Sequence, residues 1–426
     1  MKKLFNGTGV ALVTPFRKQE TIDFSKLEAL VNDIIENGCD YIVALGTTSE
    51  AATMTITERH AVQDVIVETV AGRCPILLGI GGNNTLEVCD TLTNTNFEGI
   101  NGILSVAPYY NKPNQRGLAQ HFKMISETSP VPVVLYNVPG RTGVNITADT
   151  TLQLARECPN IIGIKEASGN LAQVMHILRE KPEGFSVISG DDSLTYPMIA
   201  LGATGVISVI ANALPKEMST MVRLAMKGDV KKALPLHYRM LPLMNAIFDE
   251  GNPTGIKALL EIMGKANQVL RMPLVKASKP LYNSCPHSMT NLTTKAQQVF
   301  ASDCYATEVS GIRITEVSDS STTCVLDVQE HHCNAMGVVM GGAIFTLADL
   351  AFAAAANRQC LADDVPLAWV SLNSTIHYLA PAKGHMLFAE THCIKQGRNT
   401  CLYNINIHDE GQKLIAQVST TGIRTQ

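Results

Sequence analysis

Lys165 stands directly after the apolar run Ile161-Ile162-Gly163-Ile164, an unusual place for a residue that is ordinarily solvated at the surface. A lysine enclosed by an apolar strand loses hydration of its charged form. The neutral amine is the form that attacks a carbonyl to give a Schiff base. The competing reading is a lysine whose head snorkels to water from a strand end. Other groups capable of chemistry also follow short apolar runs. They are Gly46-Thr47-Thr48-Ser49-Glu50, Tyr109-Tyr110-Asn111, Tyr136-Asn137-Val138-Pro139-Gly140-Arg141 and Ser189-Gly190-Asp191-Asp192. Gly, Pro, Asn and Asp are ordinary turn formers. Tyrosines, an arginine and paired threonines at one level exceed what turns require.

The runs that precede these groups suggest how they are held. Near-continuously apolar segments recur at 9–13, 41–45, 76–80, 102–106, 133–136, 161–164, 185–188 and 205–209. Such runs are expected of parallel strands covered on both faces. The stretches between them are long enough for crossover helices, and one, over 24–37, ends at Gly38, a helix stop. Eight alternations favour an α/β fold of the (β/α)8 TIM-barrel type over an open doubly wound sheet. Residues 215–275 read as further C-terminal helices. Barrel enzymes gather their reactive groups at the carboxyl ends of the strands, where these polar clusters fall.

Taken together, Gly46-Thr47-Thr48, Tyr109-Tyr110-Asn111-Lys112-Pro113, Tyr136 to Gly143 and Gly163-Ile164-Lys165-Glu166-Ala167-Ser168-Gly169 resemble the 4-hydroxy-tetrahydrodipicolinate synthase (dihydrodipicolinate synthase) family. The match runs in order over about residues 4–275. The resemblance implies a lyase that condenses pyruvate with L-aspartate-4-semialdehyde in lysine and diaminopimelate biosynthesis. It implies a pyruvate imine on Lys165 and no separate cofactor. Tyr136 would move protons through a relay of Thr47 and a Tyr110 lent by a neighbouring subunit. Thr48 and the backbone of Ile207 would hold the pyruvate carboxylate region. Arg141 would fix the second substrate's carboxylate, a task suited to a planar bidentate donor. The family forms homo-oligomers, commonly tetramers. The rival reading is a related pyruvate lyase, an N-acetylneuraminate or sugar-acid aldolase, but the Gly140-Arg141-Thr142-Gly143 loop favours the first. Two departures stand out. Ser49 replaces a common glycine. The family's lysine-feedback pattern is kept at Asn83, Glu87 and Tyr109 but lost at Ala51, Ile56 and Arg59, so inhibition by lysine is not expected.

The pattern changes near residue 278. We divide the chain into a barrel over 1–277, a linker over 278–292 containing Pro280 and Pro286, and a second domain over 293–426. In this last part a helical start precedes strands at 311–317 and 322–328. A long apolar helix at 342–360 follows, then strands at 367–378, 385–393, 400–408 and 413–424. Strands around one buried helix make an α+β domain. The segment from His332 to Ala353 resembles hotdog-fold acyl-CoA thioesterases of the phenylacetate-pathway type. That resemblance implies an acyl-CoA substrate, Asn334 orienting water, Gly341 donating its N–H to the thioester oxygen, and Asp349 as base or nucleophile. Met340 stands where the family usually has histidine and cannot donate a hydrogen bond. A non-catalytic binding or oligomerisation module is therefore the alternative.

Composition narrows the rest. The 426 residues carry a net charge of −4 and no basic block, which argues against nucleic acid. No window has the apolar length of a membrane span, and no signal peptide is evident, so a cytoplasmic protein is expected. Eleven scattered cysteines without a Cys-x-x-Cys pair read as reduced thiols. His331-His332-Cys333 is a weak metal candidate, because adjacent strand residues face opposite ways; no metal is expected.

Overall fold

A computed structural model describes residues 4–282, 292–318, 321–362 and 365–425. The chain divides into two compact units, 1–288 and 289–426. Most of the expected linker lies outside the described residues, although 279–282 are helical.

The first unit is a closed barrel of eight parallel strands in sequence order. They are β1 (Gly7–Ala11), β2 (Tyr41–Ala44), β3 (Ile76–Gly79), β4 (Gly102–Val106), β5 (Val133–Asn137), β6 (Ile161–Glu166), β7 (Ser186–Ser189) and β8 (Gly205–Ser208). Each coincides with one of the eight apolar runs. Almost every strand residue is buried, as strands lined by the barrel interior and covered by helices must be. The intervening helices carry explicit start and stop chemistry. Phe24–Glu36 begins where the Asp23 side chain accepts from the Lys26 N–H, buries Leu27, Leu30, Val31 and Ile34, and ends before Gly38 at φ +80°. Ile56–Val70 opens with a reciprocal capping box between Thr55 and Glu58. Helices Pro215–Met226, Val230–Ala246 and Thr254–Ile262 form the expected C-terminal layer.

The second unit is a six-stranded antiparallel sheet ordered β11-β14-β13-β12-β10-β9. The strands are β9 (Ile312–Val317), β10 (Thr322–Asp327), β11 (Trp369–Tyr378), β12 (Met386–Gln396), β13 (Thr400–Asp409) and β14 (Leu414–Arg424). They wrap the helix Gly341–Ala356, which buries ten of its residues, including Ile344, Leu347, Leu350 and Phe352. The sequence suggested one helix through 360; it stops at Ala356. The cause is Asn357, whose Nδ2 donates to the carbonyls of Ala353 and Trp369 and whose Oδ1 accepts from the N–H groups of Ala368 and Trp369. That side chain turns the backbone into a short second helix, Arg358–Ala362. A helical turn at Tyr305–Val309 carried no sequence signal that we read.

Candidate active site

The carboxyl end of β6 places Lys165 inside the barrel, 5 % exposed, paired in register with Tyr136 of β5, 7 % exposed. The amine lies over the phenol ring, 4.3 Å from its centroid. Space for the lysine depends on Gly190, where a Cβ would sit 3.0 Å from Lys165 Cε and 2.6 Å from the Ala167 side chain. The neighbouring pair Asn137 and Glu166 is equally enclosed. Glu166 accepts two bonds of 3.1 Å from Asn137 Nδ2, one of 2.9 Å from Gln173 and one of 2.8 Å from the Ser168 N–H. This net fixes the strand ends on which Tyr136 and Lys165 ride.

After β2 the chain makes a tight turn, Thr47–Ser49, between left-handed residues Leu45 and Glu50. Ser49, the departure from the family's glycine, donates to the Gly46 carbonyl at 2.7 Å and so closes the same turn. Glu50 forms an ion pair with Lys257 in which both side chains are essentially sealed from solvent. Its other oxygen accepts from the Arg271 N–H at 3.0 Å. Burial lowers Lys257 to about 8, against the pull of Glu50 in the opposite direction. Thr48 is buried, whereas Thr47 is exposed toward a cavity of about 470 Å³ that Tyr136, Tyr109, Asn83, Glu87 and Arg59 also line. Arg141 is exposed and donates through Nη2 to the Asn252 carbonyl at 3.2 Å. Ile207 lies in β8, paired with Gly9. Just beyond, Asp192 accepts from the N–H groups of Val209 and Ile210 at 2.9 and 2.8 Å. Complete burial pushes its carboxyl up to about 6.

Lys165, Tyr136 and Thr47 thus converge on the barrel mouth, but Tyr110 does not join them. It is 89 % exposed with φ +68°, and no hydrogen bond links it to Tyr136 or Thr47. Sequence reasoning missed Asn252 and Lys257, whose importance arises only from contacts across the fold, and it named Asp192 only as the end of the polar cluster Ser189-Gly190-Asp191-Asp192. The dipeptide Asn252-Pro253 between two helical stretches was the one available signal.

In the second unit the three expected residues are not gathered within one copy. Asn334 is exposed, and its Oδ1 accepts from the Met336 and Val338 N–H groups of its own turn. Gly341 is the first helical residue, so its N–H has no acceptor within the helix. Tyr378 donates to its carbonyl at 3.0 Å. Asp349 lies eight residues further, roughly 12 Å along the axis. Its carboxyl is pushed up by burial, which a bond from Ser371 partly opposes. Met340 is 45 % exposed. Among the described residues no cluster of His, Cys, Asp and Glu has the grouping of a metal site, and no helix is long and apolar enough to cross a membrane.

A lysine enclosed at the carboxyl end of a closed parallel barrel, with a phenol against it, defines a barrel enzyme of carbonyl chemistry. Residues 4–291 match the model of the dihydrodipicolinate synthetase family, and the chain belongs to that family. Residues 336–416 match the thioesterase superfamily, which accords with the helix-wrapping sheet. The 4-hydroxy-tetrahydrodipicolinate synthase of Parabacteroides distasonis is 50 % identical over 289 residues, 68 % of this chain and 97 % of that protein. Its counterpart in Phocaeicola vulgatus is 52 % identical over 269 residues, 63 % of this chain and 91 % of that protein. The chloride-inhibited dihydrodipicolinate synthase of Acinetobacter baumannii, solved with pyruvate, superposes with a TM-score of 0.65 at 39 % identity, covering 67 % of this chain and 97 % of that one.

Proposed function

We propose that the first unit is a lyase that condenses pyruvate with L-aspartate-4-semialdehyde, as 4-hydroxy-tetrahydrodipicolinate synthases do. The observation that carries the reading is the enclosed Lys165 amine against the Tyr136 ring. The amine adds to the pyruvate ketone and water leaves, giving an imine. Its cationic nitrogen accepts electrons as a methyl proton departs, and the resulting enamine attacks the aldehyde. The semialdehyde's amine then closes the ring on the former ketone carbon and displaces the lysine. Tyr136 carries the protons, with Thr47 beside it. Thr48 and Ile207 hold the pyruvate carboxylate, and Arg141 holds that of the aldehyde. The exposure of Tyr110 supports a homo-oligomer in which a neighbouring copy completes the relay. No separate cofactor enters this sequence.

The second unit acts on an acyl-CoA thioester in the parallel reading. The Gly341 N–H at a helix start can stabilise an oxyanion, and Asp349 is the half-buried acid. Because they stand about 12 Å apart along one helix, two copies must pair for both to reach one thioester. Met340 favours a second reading, in which the unit binds or assembles without turnover.

The decisive assay offers the purified full-length chain pyruvate with aspartate semialdehyde, and separately N-acetylneuraminate. Condensation in the first mixture alone is expected. Cleavage of the sugar acid without condensation would replace the assignment.

A further inference from the structure

Asn252 lies on the irregular segment between the helices ending at Ala246 and beginning at Thr254, far in sequence from the strands that build the mouth. It is 7 % exposed. Its Nδ2 donates to Thr48 Oγ1 at 2.8 Å, and its backbone carbonyl accepts from Arg141 Nη2 at 3.2 Å. One residue therefore touches both side chains assigned to substrate carboxylates. Its Oδ1 is also buried and has no hydrogen-bond partner. An orphaned amide oxygen is costly to bury, so the amide is not placed for its own satisfaction.

We propose that Asn252 is a positioning residue that sets the polarity of Thr48 and ties the pyruvate subsite to the aldehyde subsite. This rests on the reading of Thr48 and Arg141 given above. A hydroxyl has one hydrogen to give. When Asn252 donates to Thr48 Oγ1, the Thr48 hydrogen stays free for the pyruvate carboxylate. An acceptor in the same place would take that hydrogen away. The tie to Arg141 runs through the same residue, so a disturbance at Thr48 is transmitted to the second carboxylate site.

The near-isosteric Asn252→Asp keeps the shape and removes the donor. It should raise the KM for pyruvate about tenfold, the scale of one hydrogen bond to a charged group. Borohydride trapping on Lys165 at saturating pyruvate should persist. In a Thr48→Val background the same substitution should add nothing. Thr48→Val alone should raise the KM for both substrates. The inference is overturned if Asn252→Asp keeps the parent's pyruvate KM, or if its effect multiplies with that of Thr48→Val. An unchanged aldehyde KM in Thr48→Val would cut the tie. Thr48→Val with an unchanged pyruvate KM would overturn the Thr48 reading itself and this inference with it. If Asn252→Asp melts below assay temperature, Asn252→Ala removes the donor without adding a competing acceptor; a rise in pyruvate KM smaller than tenfold that vanishes in the Thr48→Val background supports the inference, and an unchanged KM overturns it.

Discussion

The barrel mouth and the start of the second unit's buried helix both present groups that suit acyl or carbonyl chemistry, but they are held very differently. At the mouth, Lys165, Tyr136, Asn137, Glu166 and Thr48 come from three separate stretches of chain and are all buried. Glu166 alone fixes three partners. At the helix start, Asn334 is consumed by its own turn, Met340 is half exposed, and Asp349 stands two turns away from Gly341. The first arrangement is organised before substrate arrives, which is where most electrostatic catalysis comes from. The second has a well-packed core but a site that one copy leaves unassembled. A good core therefore says little about whether a site beside it works.

The largest test of this contrast removes the amine. Lys165→Ala should abolish borohydride trapping of pyruvate and lower kcat/KM by about 10³-fold or more, since it removes the amine that forms the imine. Full trapping in that variant, seen by intact mass, would take Lys165 out of the mechanism. Tyr136→Phe should separate the two steps. We expect a loss of about 10²–10⁴-fold in kcat, the usual worth of a positioned proton carrier, with trapping retained. Loss of trapping as well would make the tyrosine structural.

The two regions were also unequally legible in the sequence. Eight apolar runs reported eight strands because parallel strands buried on both faces leave no other pattern. Lys165 and Tyr136 were visible because each sits at the end of such a run. Asn252 was not, since its partner Thr48 is 204 residues away and only folding makes them neighbours. Glu50 showed as one polar residue in a turn, while its partner Lys257 sat in a helical stretch that reads as ordinary. In the second unit, the strand and helix pattern was plain, yet the helix end at Ala356 was hidden, because Asn357 stops it through bonds to the backbone of β11 and the residue before it. Long-range polar contacts leave no periodicity to read.

The sealed Glu50–Lys257 pair gives the next test. Removing one partner leaves an uncompensated buried charge, so Lys257→Met should cost the first unit about 3–5 kcal/mol in denaturant unfolding. The double replacement Glu50→Gln with Lys257→Met should recover part of that. A single variant as stable as the parent would show that the turn bearing Thr47 and Thr48 does not depend on the pair.

Asp192 predicts a somewhat smaller, pH-dependent effect. Its folded carboxyl is raised from 3.8 to about 6. Between these values the unfolded chain releases a proton that the folded chain keeps. This group's contribution is therefore most favourable below about pH 4 and is lost as pH rises through 6, by up to about 3 kcal/mol. Asp192→Asn keeps an acceptor for the Val209 and Ile210 N–H groups and cannot ionise. Relative to the parent, it should gain stability as pH is raised from 4 to 6.5. A constant difference across that range would mean that Asp192 does not titrate there.

The smallest expected effect lies in the second unit, where the comparison can be reversed by supplying what the site lacks. Met340→His restores a donor beside the Gly341 N–H, and one added hydrogen bond to a developing oxyanion should raise free-CoA release from acyl-CoA by about tenfold. Asp349→Ala in the same background should return release to the blank. If Met340→His releases no CoA from any acyl chain tested, the missing histidine is not what separates the two sites. The separation of Gly341 from Asp349 along the helix then becomes the deciding feature, and the unit binds or assembles rather than hydrolyses.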